Sequence, residues 1–450
     1  RLSPLKGFGA KTEANLASAV EQMRAAGGRL PLAVALDAAE DMLRELQRVP
    51  EVETATYAGS LRRMAETIGD IDLLASSEDA PAVMDAFCAS PAVATVVAHG
   101  TTRSAIVTTK GIHVDLRVVP PASWGAALQY FTGSKAHNVR LRSIAQRHKL
   151  KLSEYGLTRT DDGRVVASAT EEQVYEALGL PWILPTLRED RGEVEAALGG
   201  TLPDVVEISD MRGDLHTHTN LTDGLATLDD MVVAAKKRGY SYYAITDHAP
   251  TLYMERMTAE RALQQREEIR SLAAHTRMKL LHGTELNIAR DGSLDWDDQF
   301  LAGFDVVIAS VHSHFNLTRA EMTRRVVRAI EHPHVNVIGH LTGRLLGRRP
   351  GIDLDLDAVF HAAARTGTAL EINAFPDRLD CNDDVVRRAR EHGVLFAIDT
   401  DAHAVPHLDY QRYGVAVAQR GWLEPDRVVN TLPFARLRTF LSKAGAASRA

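Results

Sequence analysis

Cysteine is scarce in this chain. Two in 450 residues, Cys88 and Cys381, cannot build a disulfide framework and lack the paired spacing of a zinc finger, which points to a reducing compartment, the cytoplasm. Long apolar runs are also missing. None approaches the roughly 18 residues of a membrane span, so a membrane partner is not expected. No secretory signal pattern opens the chain, and its first residue is Arg1, so a fragment or processed form is expected. Surplus positive charge is missing too: 52 basic against 59 acidic side chains leave −7, not the uniform basic coat of many nucleic-acid binders. Histidine is sparse in the front part, where only His99, His113, His137 and His148 precede residue 211.

The remaining composition is that of an ordinary globular protein, 45% hydrophobic and 25% charged, long enough for two to four domains. Fourteen of the 18 histidines fall in the last 240 residues. That crowding points to metal chemistry there and to different work in the front part.

In the front part, a glycine-rich turn over Leu5–Thr12 precedes a helical pattern. Gly7, Gly9 and Lys11 could offer backbone N–H groups and charge to a DNA phosphate, although such a turn by itself is first a helix connector. Residues 35–46 have an amphipathic helical pattern, and strand-like runs follow at 54–57, 71–74, 93–97, 104–108 and 113–119. Between Gln129 and Leu152 lie Lys135, Arg140, Arg142, Arg147, Lys149 and Lys151 with no acidic residue. Within residues 1–150, 17 basic side chains face 15 acidic ones, so the net acidity of the chain does not argue against DNA.

Gly69-Asp70-Ile71-Asp72-Leu73 places Asp70 and Asp72 on one face of an extended strand. Two such carboxylates repel unless a cation lies between them. Asp115, in the strand-like His113–Arg117, is a third candidate ligand. Three oxygen donors on neighbouring strands suit two Mg²⁺ or Mn²⁺ ions that activate a hydroxyl and clamp a leaving phosphate. Gly59-Ser60 adds a close backbone approach and a hydroxyl for phosphate. Asp-x-Asp alone is most often an exposed strand face, but Gly-Ser, Asp-x-Asp and a strand Asp together are far more specific.

With Tyr130-Phe131-Thr132-Gly133-Ser134, Asn138 and Arg142 added, this set resembles the DNA polymerase beta-like family X nucleotidyltransferases. The resemblance implies Asp70, Asp72 and Asp115 as ligands of two ions. It implies Gly59, Ser60 and Arg63 at the triphosphate, and Tyr130, Phe131 and Gly133 at the nucleotide sugar. Asn138 would lie at the base edge, and Arg142, Gly7, Gly9 and Lys11 at DNA. One of the two aromatic rings is expected to pack into the core instead. His113 stands where many relatives carry arginine. The chain is expected to begin inside a helix-hairpin-helix thumb region, truncated at its amino terminus.

In the rear part, seven apolar runs end in polar residues: 211–218, 242–248, 278–285, 305–312, 335–340, 368–373 and 394–403. Helical patterns lie between most of them. This alternation, with chemistry at strand carboxyl ends, is the plan of an α/β barrel. The residues His216-x-His218, Asp223, Thr246-Asp247-His248, Glu285, His312-Ser313-His314, His340, Glu371-Ile372-Asn373 and Asp401-Ala402-His403 resemble the polymerase and histidinol phosphatase (PHP) superfamily. The resemblance implies a trinuclear site. His216, His218, Glu285 and Asp401 would hold one ion, Glu285, His312 and His340 a second, and Asp223, His248 and His403 a third. Thiolate-free mixed ligands fit Mn²⁺, Zn²⁺ or Fe²⁺. His314, Arg344 and Glu371 are candidate substrate contacts, and His282 and His407 are left open.

The expected architecture is therefore a multidomain α/β chain. Residues 1–30 would be a remnant of the helix-hairpin-helix thumb, 31–180 a polymerase palm and fingers with a mixed sheet and helices, 181–210 a linker, and 211–450 a distorted (β/α)7 PHP barrel. Such an arrangement implies a cytoplasmic, nucleoid-associated monomer acting on gapped or nicked DNA with dNTPs. It would fill short gaps and carry out 3′→5′ exonuclease, 3′-end and abasic-site processing in base-excision repair. The alternative is a PHP nuclease or phosphatase, histidinol-phosphatase-like, whose front half only positions nucleic acid.

Overall fold

The computed structural model describes residues 29–252 and 257–443. The chain divides into two compact units at Leu202–Pro203. No described helix is long and apolar enough to cross a membrane.

The first unit is built on a five-stranded mixed sheet of β1 (Thr54–Tyr57), β2 (Ile71–Ser76), β3 (Val93–His99), β4 (Arg103–Thr108) and β5 (His113–Val119), in the order β1-β2-β5-β4-β3. β2 and β5 run parallel at its centre. Ile71, Leu73, Val114 and Leu116 are buried on one face, so the alternation of the strand turns Asp72 and Asp115 to the other. The helix Leu32–Leu46 covers the sheet with Ala35, Leu36, Ala39 and Met42. A small antiparallel sheet follows, made of β6 (Leu150–Ser153), β7 (Gly156–Arg159) and β8 (Val165–Ala167).

The 181–210 segment was expected to be a linker. Its first two thirds are instead built into this unit. Arg188 is fully buried and donates to Glu171 at 2.6 Å, while Glu193 meets the buried His137 at 2.6 Å. Arg62 donates to both oxygens of Glu171, at 2.9 and 2.7 Å. The network therefore ties the segment to the turn after Gly59. Burial alone would push the Glu171 carboxyl up, but the hydrogen bond from Arg62 and the charge of Arg188 outweigh it and hold the pKa down to about 2. The Glu171 carboxylate stabilises the fold above its unfolded pKa of 4.5 and loses that contribution as pH falls towards 2. Glu171→Gln should lower stability at pH 7 by about 3–5 kcal/mol, because the buried Arg188 guanidinium and the partly buried Arg62 guanidinium lose their counter-charge. Calorimetry of the first unit's transition would read this, and an unchanged midpoint would show the network to be neutral.

The second unit is a sheet of seven parallel strands in sequence order: β9 (Gly213–Asp214), β10 (Tyr242–Ile245), β11 (Lys279–Asn287), β12 (Val306–Ser310), β13 (Val337–Ile338), β14 (Ala369–Asn373) and β15 (Phe396–Asp399). It curls into a nearly closed barrel. The chain beyond β9 meets that beyond β15 at a Thr217–Ala402 bridge, where His218 N–H donates to the Ala402 carbonyl at 2.8 Å. Two buried carboxylates seal the seam. Asp399 accepts from Leu215 N–H at 2.8 Å, and Asp214 accepts from the Thr400 hydroxyl. Tyr242, Ala244, Leu281, Val306, Ile308, Val337, Ala369 and Ala397 fill the interior, against Val429 and Leu437. Tyr243 and Ile245, one residue out of phase with Tyr242 and Ala244, pack under the outer helices. The seven runs read from the sequence are these seven strands and the loops at their carboxyl ends.

Candidate active sites

In the first unit, Asp72 and Asp115 are direct partners across β2 and β5, and Asp70 immediately precedes β2. Burial and the charges of Asp70 and Asp115 push the Asp72 carboxyl up to about 6. Asp72 thus feels the like charges of both Asp70 and Asp115, while the three carboxylates are not among the donor groups of the described residues whose ligand atoms all lie within 4.8 Å of one another. The helical turn Gly59–Arg62 abuts them. Gly59 has φ +56°, and a Cβ there would lie 2.0 Å from Asp72 Oδ2, so glycine is required both by conformation and by space. Arg103, on β4, donates to Asp115 at 2.9 Å. It lies diagonally across from Asp115, since Ala105 is the direct partner, and supplies a guanidinium where the exposed His113 does not. The sequence carried no signal for this pairing.

The other front-half candidates are placed as follows. Phe131 packs on Leu74, Val119 and Ala127 beneath the Arg117 guanidinium, and Tyr130 meets it edge to face at 5.2 Å. Phe131 is thus the core-packed ring of the pair. Gly133 has φ +69°. Arg63 donates to the Thr132 carbonyl at 2.6 Å and to Glu189 at 3.1 Å. Asn138 is buried, accepting from Gln129 and donating to the Tyr130 carbonyl, each at 2.7 Å. Both side chains are therefore anchored to the helix Trp124–Thr132 that carries the aromatic pair. Arg142 is half-buried on the helix Lys135–Arg147, where Arg140 is paired with Asp190 and Glu195. Gly7, Gly9 and Lys11 lie outside the described residues.

In the second unit, nine residues at the barrel rim form one cluster in which five imidazoles surround Glu285. Its Oε1 lies 3.2 Å from His312 Nε2 and 3.0 Å from His340 Nε2. Its Oε2 lies 2.9 Å from His248 Nδ1, 3.4 Å from His216 Nε2 and 3.6 Å from His218 Nε2. Asp401 Oδ1 lies 3.2 Å from His218 Nε2, and Asp223 spans His248 and His403, each at 3.4 Å. Three donor groups have their ligand atoms within 4.8 Å of one another: His218, Asp223, His248 and His403; His216, His218 and Asp401; and His248, Glu285 and His312. His218 and His248 are thereby shared between groups, a distribution that the residue pattern did not specify.

The fit to divalent cations is legible in the unsatisfied atoms. His216 Nε2, both ring nitrogens of His218 and His248 Nδ1 are buried without a hydrogen-bond partner. The outward nitrogens of several rings are held: His216 Nδ1 by Glu371 at 2.6 Å, His312 Nδ1 by Asn287 at 2.6 Å, and His403 Nδ1 by the Asp401 carbonyl at 2.7 Å. One nitrogen held by the protein and the other presented inward is the arrangement of metal-ligating histidine. Burial, then the charges of His403 and His248, hold His218 down to about 3, so its ring is neutral and its lone pair available.

The candidate substrate contacts divide. Glu371 is fully buried, and besides His216 it accepts from the His340 backbone at 2.5 Å and from Asn373 at 3.0 Å. Its carboxylate is thus engaged by three neighbours within the barrel. Arg344 donates to the Arg378 carbonyl at 2.8 Å and supports the loop after β14. His314 is exposed at the rim with φ +52°. His407 accepts from the His403 backbone at 3.2 Å, whereas His282 lies away from the cluster, packed on Phe304 and bonded to Arg266. Asn287 was not anticipated, and Asp247 entered only as part of the Thr246-Asp247-His248 motif, with no role assigned. Asp247 accepts from the Thr219 and Thr222 hydroxyls, each at 2.6 Å, and so fixes the loop that carries Asp223.

Two family models match the chain: the DNA polymerase beta thumb over residues 127–189 and the PHP domain over residues 214–374. The thumb match therefore falls on the end of the 31–180 segment read as palm and fingers and on residues 181–189 of the segment read as a linker, not on residues 1–30. Over 447 residues the chain is 36% identical to the DNA polymerase/3′-5′ exonuclease PolX of Bacillus subtilis, covering 98% of this chain and 78% of that protein. Its rear half is 28% identical over 246 residues to a probable phosphatase of Shewanella sediminis, covering 52% of this chain and 94% of that protein. A probable phosphatase of Syntrophotalea carbinolica is 29% identical over 244 residues, covering 50% of this chain and 96% of that protein. With a carboxylate site on a mixed sheet, an imidazole–carboxylate cluster at a barrel rim, and a relative matched across both, the chain belongs to the family X DNA polymerases that carry a PHP domain, the PolX family.

Proposed function

We propose that the chain extends and shortens DNA 3′ ends at two separate sites, adding dNTPs at short gaps with residues 31–180 and removing nucleotides 3′→5′ with the barrel of residues 211–450. The observation that carries this reading is the presence of two ligand sets of different chemistry: three carboxylates on one sheet, and the imidazole-rich cluster around Glu285. Asp70, Asp72 and Asp115 would hold Mg²⁺ or Mn²⁺. His216, His218, Asp223, His248, Glu285, His312, His340, Asp401 and His403 would hold up to three ions of Mn²⁺, Zn²⁺ or Fe²⁺. Such ions lower the pKa of a bound hydroxyl or water and offset charge on phosphoryl oxygens.

The protein's own groups do the rest. Gly59 lets the Gly59–Arg62 turn lie against Asp72, presenting its N–H groups and the Ser60 hydroxyl to a triphosphate. Arg103 holds one oxygen of Asp115 in place. In the barrel, Glu371 and Asn287 fix the rings of His216 and His312, and Asp247 fixes the approach of Asp223. The same cluster suits 3′-phosphate and abasic-site processing, as part of base-excision repair in the cytoplasm. A monomer on gapped or nicked DNA is sufficient for this chemistry.

A single labelled gapped duplex with Mn²⁺ tests the reading. Extension is expected with dNTPs and 3′→5′ shortening without them, and failure of extension by the folded chain would overturn the polymerase half. A second reading, a PHP phosphatase whose front half only positions nucleic acid, is favoured by the barrel-only likeness to probable phosphatases. It requires faster release of phosphate from small monoesters than from DNA. Gly59→Ala should cut extension by at least about 10²-fold while sparing shortening, since the added methyl displaces Asp72 and strains the backbone. Primer-extension rates of the two proteins check this.

A further inference from the structure

The loop between β14 and Cys381 brings a guanidinium to the edge of the imidazole–carboxylate cluster. Its ends are joined by an Asn373–Asp380 bridge. Asp380, fully buried, accepts from the Thr342 backbone and hydroxyl, each at 2.9 Å. Arg344 donates to the Arg378 and Leu379 carbonyls, and Leu379 is held at φ +44°. The loop is thus pinned on both sides of Arg378.

The Arg378 side chain is 19% exposed, with Nε 3.7 Å from Asp401 Oδ2. That oxygen already accepts from Asn373 Nδ2 at 3.1 Å, while Oδ1 faces His218. Arg378 Nη1 is enclosed and has no hydrogen-bond partner. The neighbouring Asp377 faces Arg348 instead. A buried donor without an acceptor costs free energy. A fixed positive charge beside a site built for cations is repelled once that site fills, unless an anion lies between them. Both costs vanish if a phosphoryl oxygen reaches Nη1, and guanidinium is suited to that partner by its planar fork of donors.

We infer that Arg378 is a substrate-contact residue of the hydrolytic site, donating to a non-bridging oxygen of the phosphate ester whose bond is cut. The inference rests on the hydrolytic reading of the barrel. It assigns the phosphate contact to Arg378 and leaves Arg344 as a positioning residue for its loop.

The test uses the full chain loaded with Mn²⁺, inorganic phosphate as the probe, and the variants Arg378→Ala and Arg378→Lys. Calorimetry should show phosphate binding weakened about 10- to 100-fold in Arg378→Ala, with manganese per chain unchanged by elemental analysis. Arg378→Lys, which keeps the charge but not the fork, should recover part of the loss. The KM for 3′ shortening should rise more than kcat falls, and nucleotide addition should be unchanged. Equal phosphate binding by wild type and Arg378→Ala overturns the inference, as does loss of manganese in the variant, which would make Arg378 a mere support for Asp401. Hydrolysis of p-nitrophenyl phosphate without shortening of DNA by the wild type would overturn the nuclease reading alone, since the phosphate titration reports on Arg378 either way.

Discussion

Asp72→Asn should reduce nucleotide addition by about 10³-fold or more and leave 3′→5′ shortening within about twofold, as expected for independent sites. The substitution keeps the shape of the side chain and removes one of the three charges that attract the cations. Its effect on stability should have the opposite sign. Burial and the charges of Asp70 and Asp115 push the Asp72 carboxyl from 3.8 up to about 6, so in chelated, cation-free protein the ionised form opposes folding above that pH. Wild-type stability should therefore rise as pH falls through 6 towards 3.8, and the Asn variant should lack that rise. Primer extension and chelated-state unfolding on the same two proteins read both quantities. A variant that still extends primers would remove Asp72 from the site, and loss of shortening as well, in folded protein, would show the two sites to be one.

Glu285→Gln should do the reverse, cutting 3′ shortening by about 10³-fold or more while primer extension persists. Glu285 is 1% exposed and its two oxygens lie between five imidazoles. The His312, His216 and His248 charges outweigh burial and hold its carboxyl well below the usual range. Replacing one oxygen by an amide nitrogen removes the charge that bound ions would share and points N–H donors at ring nitrogens that would donate lone pairs to them. Manganese per chain should fall together with shortening. Retention of both metal and shortening would show that Glu285 is not the bridge between ion positions, and the grouping of ligands around it would need to be redrawn.

Local pattern was enough for much of the chemistry. Asp70-x-Asp72 and His216-x-His218 lie at strand spacing, which sends alternate side chains the same way whatever surrounds them. Seven apolar runs ending in His, Asp, Glu or Asn could be read as barrel strands because a barrel collects the carboxyl ends of its strands on one rim. The 181–210 segment misled for a local reason. Its prolines and glycines resemble those of a linker, but Arg188 and Glu193 find buried partners in Glu171 and His137, which no local property of the segment announces. Glu371 and Arg344 are candidate substrate contacts by residue type, but in the structure Glu371 is engaged by His216, His340 and Asn373 and Arg344 by the Arg378 and Leu379 carbonyls; residue type does not show which atoms are already engaged.

The residue types and spacings of this chain determined that it carries two clusters of candidate ligands, one of carboxylates and one dominated by imidazole, at strands of an α/β protein. The tertiary structure alone decided which atoms complete them. Glu371 reaches His216 across 155 positions of sequence, and Asn287 reaches His312 across 25. Arg103 meets Asp115 diagonally on the neighbouring strand, and Arg378 reaches Asp401 from a loop that Arg344 and Asp380 hold. Ligands at strand ends follow from the period of the backbone, which is local. The groups that orient those ligands are set by which distant atoms the barrel brings within hydrogen-bond reach, and that is a property of closure and packing.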